Sequence, residues 1–185
     1  MSIGKLFVIS GASGVGKTTV LEKIMAARDD LTFSVSATTR PPRPKEVDGV
    51  HYSFVTDELF EEMIRQNAFV EYDGHMKKYY GTPRAQLEEK LSRSNVILDI
   101  EPKGAFNVRK VRPDATLIFI TPPSMEELER RLRNRGDTSE DQILDRLERA
   151  KWEIQQSPKY DYIVVNDVAK TCADEILNII AQVAD

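Results

Sequence analysis

Residues Gly11–Thr19 read GASGVGKTT: a glycine, four spacers, then Gly-Lys-Thr. Residue types in this order suit phosphate binding. Glycine allows backbone conformations and a close approach that a side chain would block. The N–H groups of Gly11, Ala12, Ser13, Gly14, Val15 and Gly16 can then turn inward, and a following helix offers its positive end to the same oxygens. Lys17 would set a charge between the β- and γ-phosphates of a nucleoside triphosphate, and Thr19 is counted in the same triphosphate-binding stretch. Thr18 would put its hydroxyl on Mg²⁺. The bland alternative is a glycine turn without a ligand. The apolar run before the loop and the amphipathic stretch after it favour the phosphate reading.

A second set of candidates lies further on. Arg40 and Arg43 stand three apart in TTRPPRPK, beside a proline-stiffened turn, and can form a forked cation site for a phosphate. A solvated basic loop is the other reading. Tyr52 and Tyr80 can donate phenolic hydrogen bonds or pack in a core, and Tyr79 is expected to pack. Asp99 stands near the end of the run NVILDI. An acid at the carboxyl end of a parallel strand faces the ligand crevice, so Asp99 can hold Mg²⁺ or its waters, or it can cap the next helix.

These residues need a scaffold. Apolar runs at Leu6–Ser10, Val96–Ile100, Leu117–Thr121 and Tyr162–Val165 predict buried strands. Helical spacing appears at Val20, Leu21, Ile24 and Met25, at Leu128 and Leu132, and at Ile143, Leu147, Ala150 and Ile154. Ser124-x-x-Glu127 and Ser139-x-x-Gln142 predict capping boxes. Strand alternating with helix implies an α/β fold, with a parallel sheet covered on both faces. Two segments break the alternation. Residues 33–83 read as a small, mixed, β-rich insert, and residues 127–151 as a charged helical pair hinged at Asn134–Asp137. The core is then residues 1–32, 84–126 and 152–185 of a single domain.

Composition narrows the classes. The chain has 185 residues, 41% hydrophobic and 30% charged, which suits one soluble core and argues against disorder. A formal net charge of −4 disfavours nucleic acid as a partner, while the local basic clusters suit a small polyanion. No apolar run approaches the roughly 20 residues of a membrane span. The N-terminal stretch runs straight into the glycine loop and reads as a core strand, not a signal peptide. One cysteine rules out an internal disulfide and suits a reducing cytoplasm; one cysteine with two histidines makes structural zinc improbable. No obligate protein partner is evident.

Longer stretches carry a resemblance. FSVSATTRPPRPKEVDGVHYSFV (Phe33–Val55), FVEY (Phe69–Tyr72), YYGTP (Tyr79–Pro83), LDIE (Leu98–Glu101), FITPPSMEELERRLRNRG (Phe119–Gly136) and VVND (Val164–Asp167) resemble guanylate kinase in order and spacing. The resemblance implies a P-loop NTPase core, a GMP-binding insert and a mobile helical lid. It implies Mg²⁺-dependent transfer of a phosphoryl group from ATP to GMP, giving ADP and GDP. Arg40, Arg43, Tyr52 and Tyr80 would then hold the GMP phosphate, and Ser36, Glu71 and Thr82 would read guanine, with Gly81 and Glu101 in the same site. Arg131, Arg135 and Arg146 would clamp phosphates from the lid, and Asn166 would contact adenine. Arg130, Arg133 and Arg149 are left as surface.

The chemistry agrees with those roles. Guanine presents N1–H and an amino group on one edge, and a carboxylate accepts both, whereas adenine offers it an acceptor. Such pairing can discriminate by roughly 10⁴–10⁵. Glu71 can alternatively face solvent, and Thr82, ahead of Pro83, can alternatively cap a helix. No general base is required, because a phosphate monoester is largely ionised near pH 7. The chain departs from the family at Glu101-Pro102-Lys103, where Asp-x-Gln is usual. It also departs at Tyr72, where Trp is usual, and at Lys77-Lys78, where Gly-Asn is usual. A kinase for another phosphorylated acceptor and a guanylate-kinase-like interaction domain remain as rival readings.

Overall fold

The run predicted at Leu6–Ser10 forms strand β1 (Leu6–Gly11), the middle of a parallel sheet. The computed structural model describes residues 4–75, 78–134 and 139–184. The sheet has five strands in the order β2 (Leu31–Phe33), β7 (Asn95–Asp99), β1, β8 (Thr116–Thr121), β9 (Tyr162–Val165), and every neighbouring pair is parallel. Its central strands are apolar without alternation because both faces are covered. The short edge strand β2 lacks such a run and pairs only at Leu31–Phe33 with Asn95–Ile97. It therefore escaped the sequence reading.

The crossovers supply the covering helices. Helix α1 (Lys17–Ala27) follows β1 and packs on the C-terminal α7 (Ala169–Ala184). Helices α3 (Arg84–Leu91) and α4 (Pro102–Val111) flank β7 in sequence, and Pro102 takes the first turn of α4, where its missing N–H costs nothing. One core runs through the sheet and these helices. Among the described residues no helix is long and apolar enough to cross a membrane.

The insert has its own sheet, in the order β4 (Ser53–Phe54), β3 (Ala37–Thr38), β6 (Lys78–Pro83), β5 (Phe69–His75). It is mixed, as expected, and it also carries helix α2 (Asp57–Arg65), whose N-terminus Thr56 caps through Leu59 N at 3.2 Å. Phe60 stacks between Phe69 and Tyr79, with ring centroids 4.4 and 5.1 Å apart, so Tyr79 packs as predicted. Gly81 is demanded by this packing, since a Cβ there would lie 2.8 Å from the Phe69 ring.

The charged segment expected to form a helical pair contains α5 (Met125–Asn134) and α6 (Glu140–Gln156), which extend beyond residues 127–151 at both ends. Ser139 and Gln142 form the reciprocal capping box. At α5 the Ser124 hydroxyl accepts from Glu127 N at 3.1 Å, while the Glu127 carboxylate turns to Arg130 and Arg131. The lid joins the core through Leu128, Leu132, Ile143, Leu147 and Ala150. Gly14, with φ +85°, lets the glycine loop lie against α5; a Cβ there would come within 2.6 Å of Leu132.

Candidate active site

Two cavities adjoin at the carboxyl ends of β1 and β7. The first, about 400 Å³, is lined by the loop Gly11–Thr19 with Arg43, Glu101, Arg146, Arg149 and Glu153. Helix α1 begins at its floor, where Gly16 takes the left-handed conformation at φ 93°. Lys17 pairs with Asp99. Burial alone would lower its pKa, but Asp99, Glu101 and Glu153 outweigh burial and raise it, so the ammonium stays charged. Asn166 sits behind the loop: it is 4% exposed, and its Nδ2 donates to Val15 O at 2.7 Å. Arg146 donates from Nε to Ser13 Oγ at 3.4 Å.

The second cavity, about 550 Å³, gathers Ser36, Arg40, Arg43, Tyr52, Glu71, Tyr80, Gly81 and Glu101 from the predicted set, with Lys17 and Asp99 at its edge. Thr38 and Thr39 stitch β3 to β6 at Tyr79, by bonds of 2.9 and 3.1 Å, which brings Arg40 and Tyr80 out side by side. Arg40 grips Glu46 through both terminal nitrogens, at 2.7 and 2.9 Å, and lies over the Tyr52 ring at 5.2 Å. The Arg40 guanidinium in turn holds the Glu46 carboxyl down to about 2. Arg40 Nε has no hydrogen-bond partner among the described residues.

Glu71 is 7% exposed and so is not a solvent-facing strand residue. A register shift in β5 between Phe69 and Glu71 breaks the alternation and re-aims this side chain. Burial pushes its carboxyl up to about 7, with the nearby Asp73 adding to the rise and the Thr82 hydrogen bond opposing it. Thr82 is fully buried behind it and donates its hydroxyl to Glu71 Oε1 at 2.8 Å. Thr82 therefore caps no helix, and Pro83 occupies that place. Gly104 leaves room for the carboxylate, since a Cβ there would stand 3.0 Å from Glu71 Oε2.

The lid arginines divide. Arg131 spends its guanidinium on Glu127, on Asn166 O at 2.8 Å and on Asp167 O at 3.0 Å, tying α5 to the end of β9. Arg135 lies outside the described residues. Arg130 and Arg133 pair with Glu127 and with Glu129 and Glu140 on the exterior, as expected. Arg149, expected at the surface, instead lines both cavities and pairs with Glu101 and Glu153. It lies three residues after Arg146 on α6, so both fall on the face turned to the loop.

Sequence reasoning also passed over Glu46, Asp73, Lys78, Ile100 and Gly104 in the larger cavity and Glu153 in the smaller. Glu46 lies inside the TTRPPRPKE stretch, at a spacing that brings it back to Arg40, so a local signal existed for it. Glu153 had only its position four residues beyond Arg149. For a divalent cation, the Thr18 hydroxyl and the Asp99 carboxylate are hard oxygen donors facing adjoining cavities, a set that fits Mg²⁺ shared with phosphate oxygens and water.

A family model described as guanylate kinase matches residues 3–183, which takes in core, insert and lid. The chain belongs to the guanylate kinase family. It is 50% identical over 178 residues to a guanylate kinase of Thermus thermophilus, covering 96% of this chain and 80% of that protein. A guanylate kinase of Oceanobacillus iheyensis is 44% identical over 178 residues, 96% of this chain and 86% of its own. The crystal structure of guanylate kinase from Anaplasma phagocytophilum superposes with a TM-score of 0.79 at 32% identity, covering 100% of this chain and 88% of that one. The P-loop kinase fold and the nucleoside monophosphate kinase class follow. Against the family pattern, Glu101 reaches Arg149, and Lys103 pairs with Asp73 at 2.5 Å across the junction of α4 and the insert.

Proposed function

We propose that the protein transfers the γ-phosphoryl group of ATP to GMP, and that the smaller cavity takes the ATP phosphates while the larger takes GMP. One observation carries the assignment of the larger cavity: a buried carboxylate, Glu71, aimed into a pocket whose far wall is arginine and tyrosine. Glu71 accepts from guanine N1–H and the 2-amino group, and Ser36 offers its hydroxyl to the base. Thr82 acts through Glu71, because its single proton is already committed there. Arg40, Arg43, Tyr52 and Tyr80 hold the phosphate. Glu46 keeps the Arg40 guanidinium in place beside the Tyr52 ring.

On the donor side the loop amides and Lys17 bind the β- and γ-phosphates, and Arg146 reaches the loop from the lid. Asn166 braces the loop through Val15 O, and this contact, more than one to adenine, is the role its burial supports. Thr18 and Asp99 would hold Mg²⁺ directly or through water, and that ion supplies charge neutralisation on the phosphate oxygens when bound. The protein's part is alignment of two polyanions and exclusion of water, so that transfer outruns hydrolysis. Closure of insert and lid precedes chemistry.

The test is ADP release measured across GMP, AMP, UMP and ribose phosphates. GMP is expected to exceed the others by roughly 10³-fold or more in kcat/KM. Equal use of AMP, or a faster reaction with a sugar phosphate, would overturn the acceptor assignment. Binding of GMP without turnover would favour the interaction-domain reading.

A further inference from the structure

Lys17, Arg43, Glu101 and Arg149 line both cavities and so mark the junction that the migrating phosphoryl group must cross. The three cations come from three parts of the molecule. Lys17 comes from the loop after β1, Arg43 from the insert, and Arg149 from α6 of the lid. We propose that Arg149 is a catalytic residue of the transfer step, held at the junction by Glu101 and Glu153 as positioning residues. The inference rests on the reading of the two cavities as ATP and GMP sites.

The contacts around Arg149 give it a fixed place. Its Nε donates to Glu153 Oε1 at 3.1 Å and its Nη2 to Glu101 Oε1. Glu153 is 3% exposed, and its second oxygen, Oε2, accepts from Ser13 N of the phosphate loop at 2.6 Å. One buried carboxylate thus links the lid arginine to the loop that carries the triphosphate. Glu101 supplies the second hold, from the carboxyl end of β7. The aspartate usual in the family is one methylene shorter. Glutamate here spans to a guanidinium 48 residues away on α6.

The chemistry at the junction calls for such a group. An oxygen of the GMP phosphate forms a bond to the γ-phosphorus as the bond from that phosphorus to the β–γ bridging oxygen breaks. The bridging oxygen keeps the electron pair and leaves on ADP, and nothing is oxidised or reduced. Negative charge spreads over the equatorial oxygens and the leaving oxygen, between the two cavities. A planar guanidinium there stabilises that charge, and it remains protonated throughout. Because Arg149 rides on the lid and Arg43 on the insert, the full cationic set assembles only when both enclose the junction. Water reaching an open site meets an incomplete set, which suppresses wasteful hydrolysis.

The test compares wild type with Arg149→Met and Arg149→Lys. Arg149→Met should lower kcat by roughly 100-fold or more. KM for ATP and GMP should stay within about threefold, and the melting temperature close to wild type. Arg149→Lys, with charge but no fork, should recover part of kcat. Calorimetry adds a readout that a structural role would not move. ADP and GMP should each bind Arg149→Met as they bind wild type. An adenosine–guanosine pentaphosphate, whose phosphates cross the junction, should bind at least about tenfold more weakly. Unchanged kcat in both variants, or equal weakening of ADP, GMP and the linked compound together with a lower melting temperature, would overturn the role. Failure of wild type itself to use GMP would instead strike the underlying reading.

Discussion

The two cavities meet anions by different means. The donor loop works through its backbone: Gly14 and Gly16 take left-handed conformations, Lys17 is the loop's own cationic side chain, and Arg43, Arg146 and Arg149 reach the cavity from outside the loop. The acceptor site works through side chains, several of which are held by a partner. Arg40 faces Glu46, Lys103 faces Asp73, and buried Glu71 leans on Thr82. A backbone site depends on glycines and tolerates changes elsewhere. A side-chain site is pre-aligned by its own ion pairs, at the expense of holding a carboxylate out of water.

Substitutions can break this contrast. The largest effect is expected at Lys17→Ala, which should cut kcat by about 10³-fold or more with the fold intact. Near-normal turnover alongside an unchanged circular dichroism spectrum would contradict a donor-site cation. Next is Glu71→Gln, which exchanges an acceptor for a partial donor. GMP affinity should fall by about 10²-fold or more while ADP affinity, read by calorimetry, stays within twofold. Equal losses for both nucleotides would refute a base reader.

Glu71 also makes the free protein sensitive to pH. Its folded pKa, about 7, lies above its ordinary 4.5, so the native state holds a proton that the unfolded chain releases. Stability should therefore fall as pH rises from about 4.5 to about 7, by about 3 kcal/mol for this group. Urea unfolding of wild type against Glu71→Gln isolates the slope, and parallel profiles would mean that the carboxyl is not perturbed. GMP binding should release the same proton. The smallest effect is expected at Gly104→Ala. Alanine improves helix propensity by about 1 kcal/mol but crowds Glu71. KM for GMP should rise by about 5-fold with KM for ATP unmoved. An unaltered KM for GMP would show that the carboxylate yields without cost.

What could be read from residue order is what local patterning controls. Apolar runs placed β1, β7, β8 and β9 to within a residue at each end; β1, β7 and β8 are apolar because both their faces are covered, while β9, at the sheet edge, is apolar although Ile163 and Val165 are exposed. The glycine loop and the TTRPPR stretch were legible for the same reason: each acts through residues close in sequence. The edge strand β2 is too short to show a period, whereas the helix α2 carried one, with Phe60, Met63 and Ile64 on one face behind the Thr56 cap, and was passed over inside a segment read as β-rich. Thr82 was assigned to the base, when only packing could reveal that its hydroxyl is spent on Glu71.

Sequence by itself determined the phosphate loop, the central strands, the family and the chemical types that face the acceptor. Tertiary structure alone decided which cation stands where. Arg149 could not be told from Arg130 or Arg133 along a charged helix pair, because burial and a carboxylate 48 residues away distinguish it. Backbone conformation follows from neighbours in the chain, whereas the worth of a charge depends on the dielectric and the counter-charges that folding brings to it.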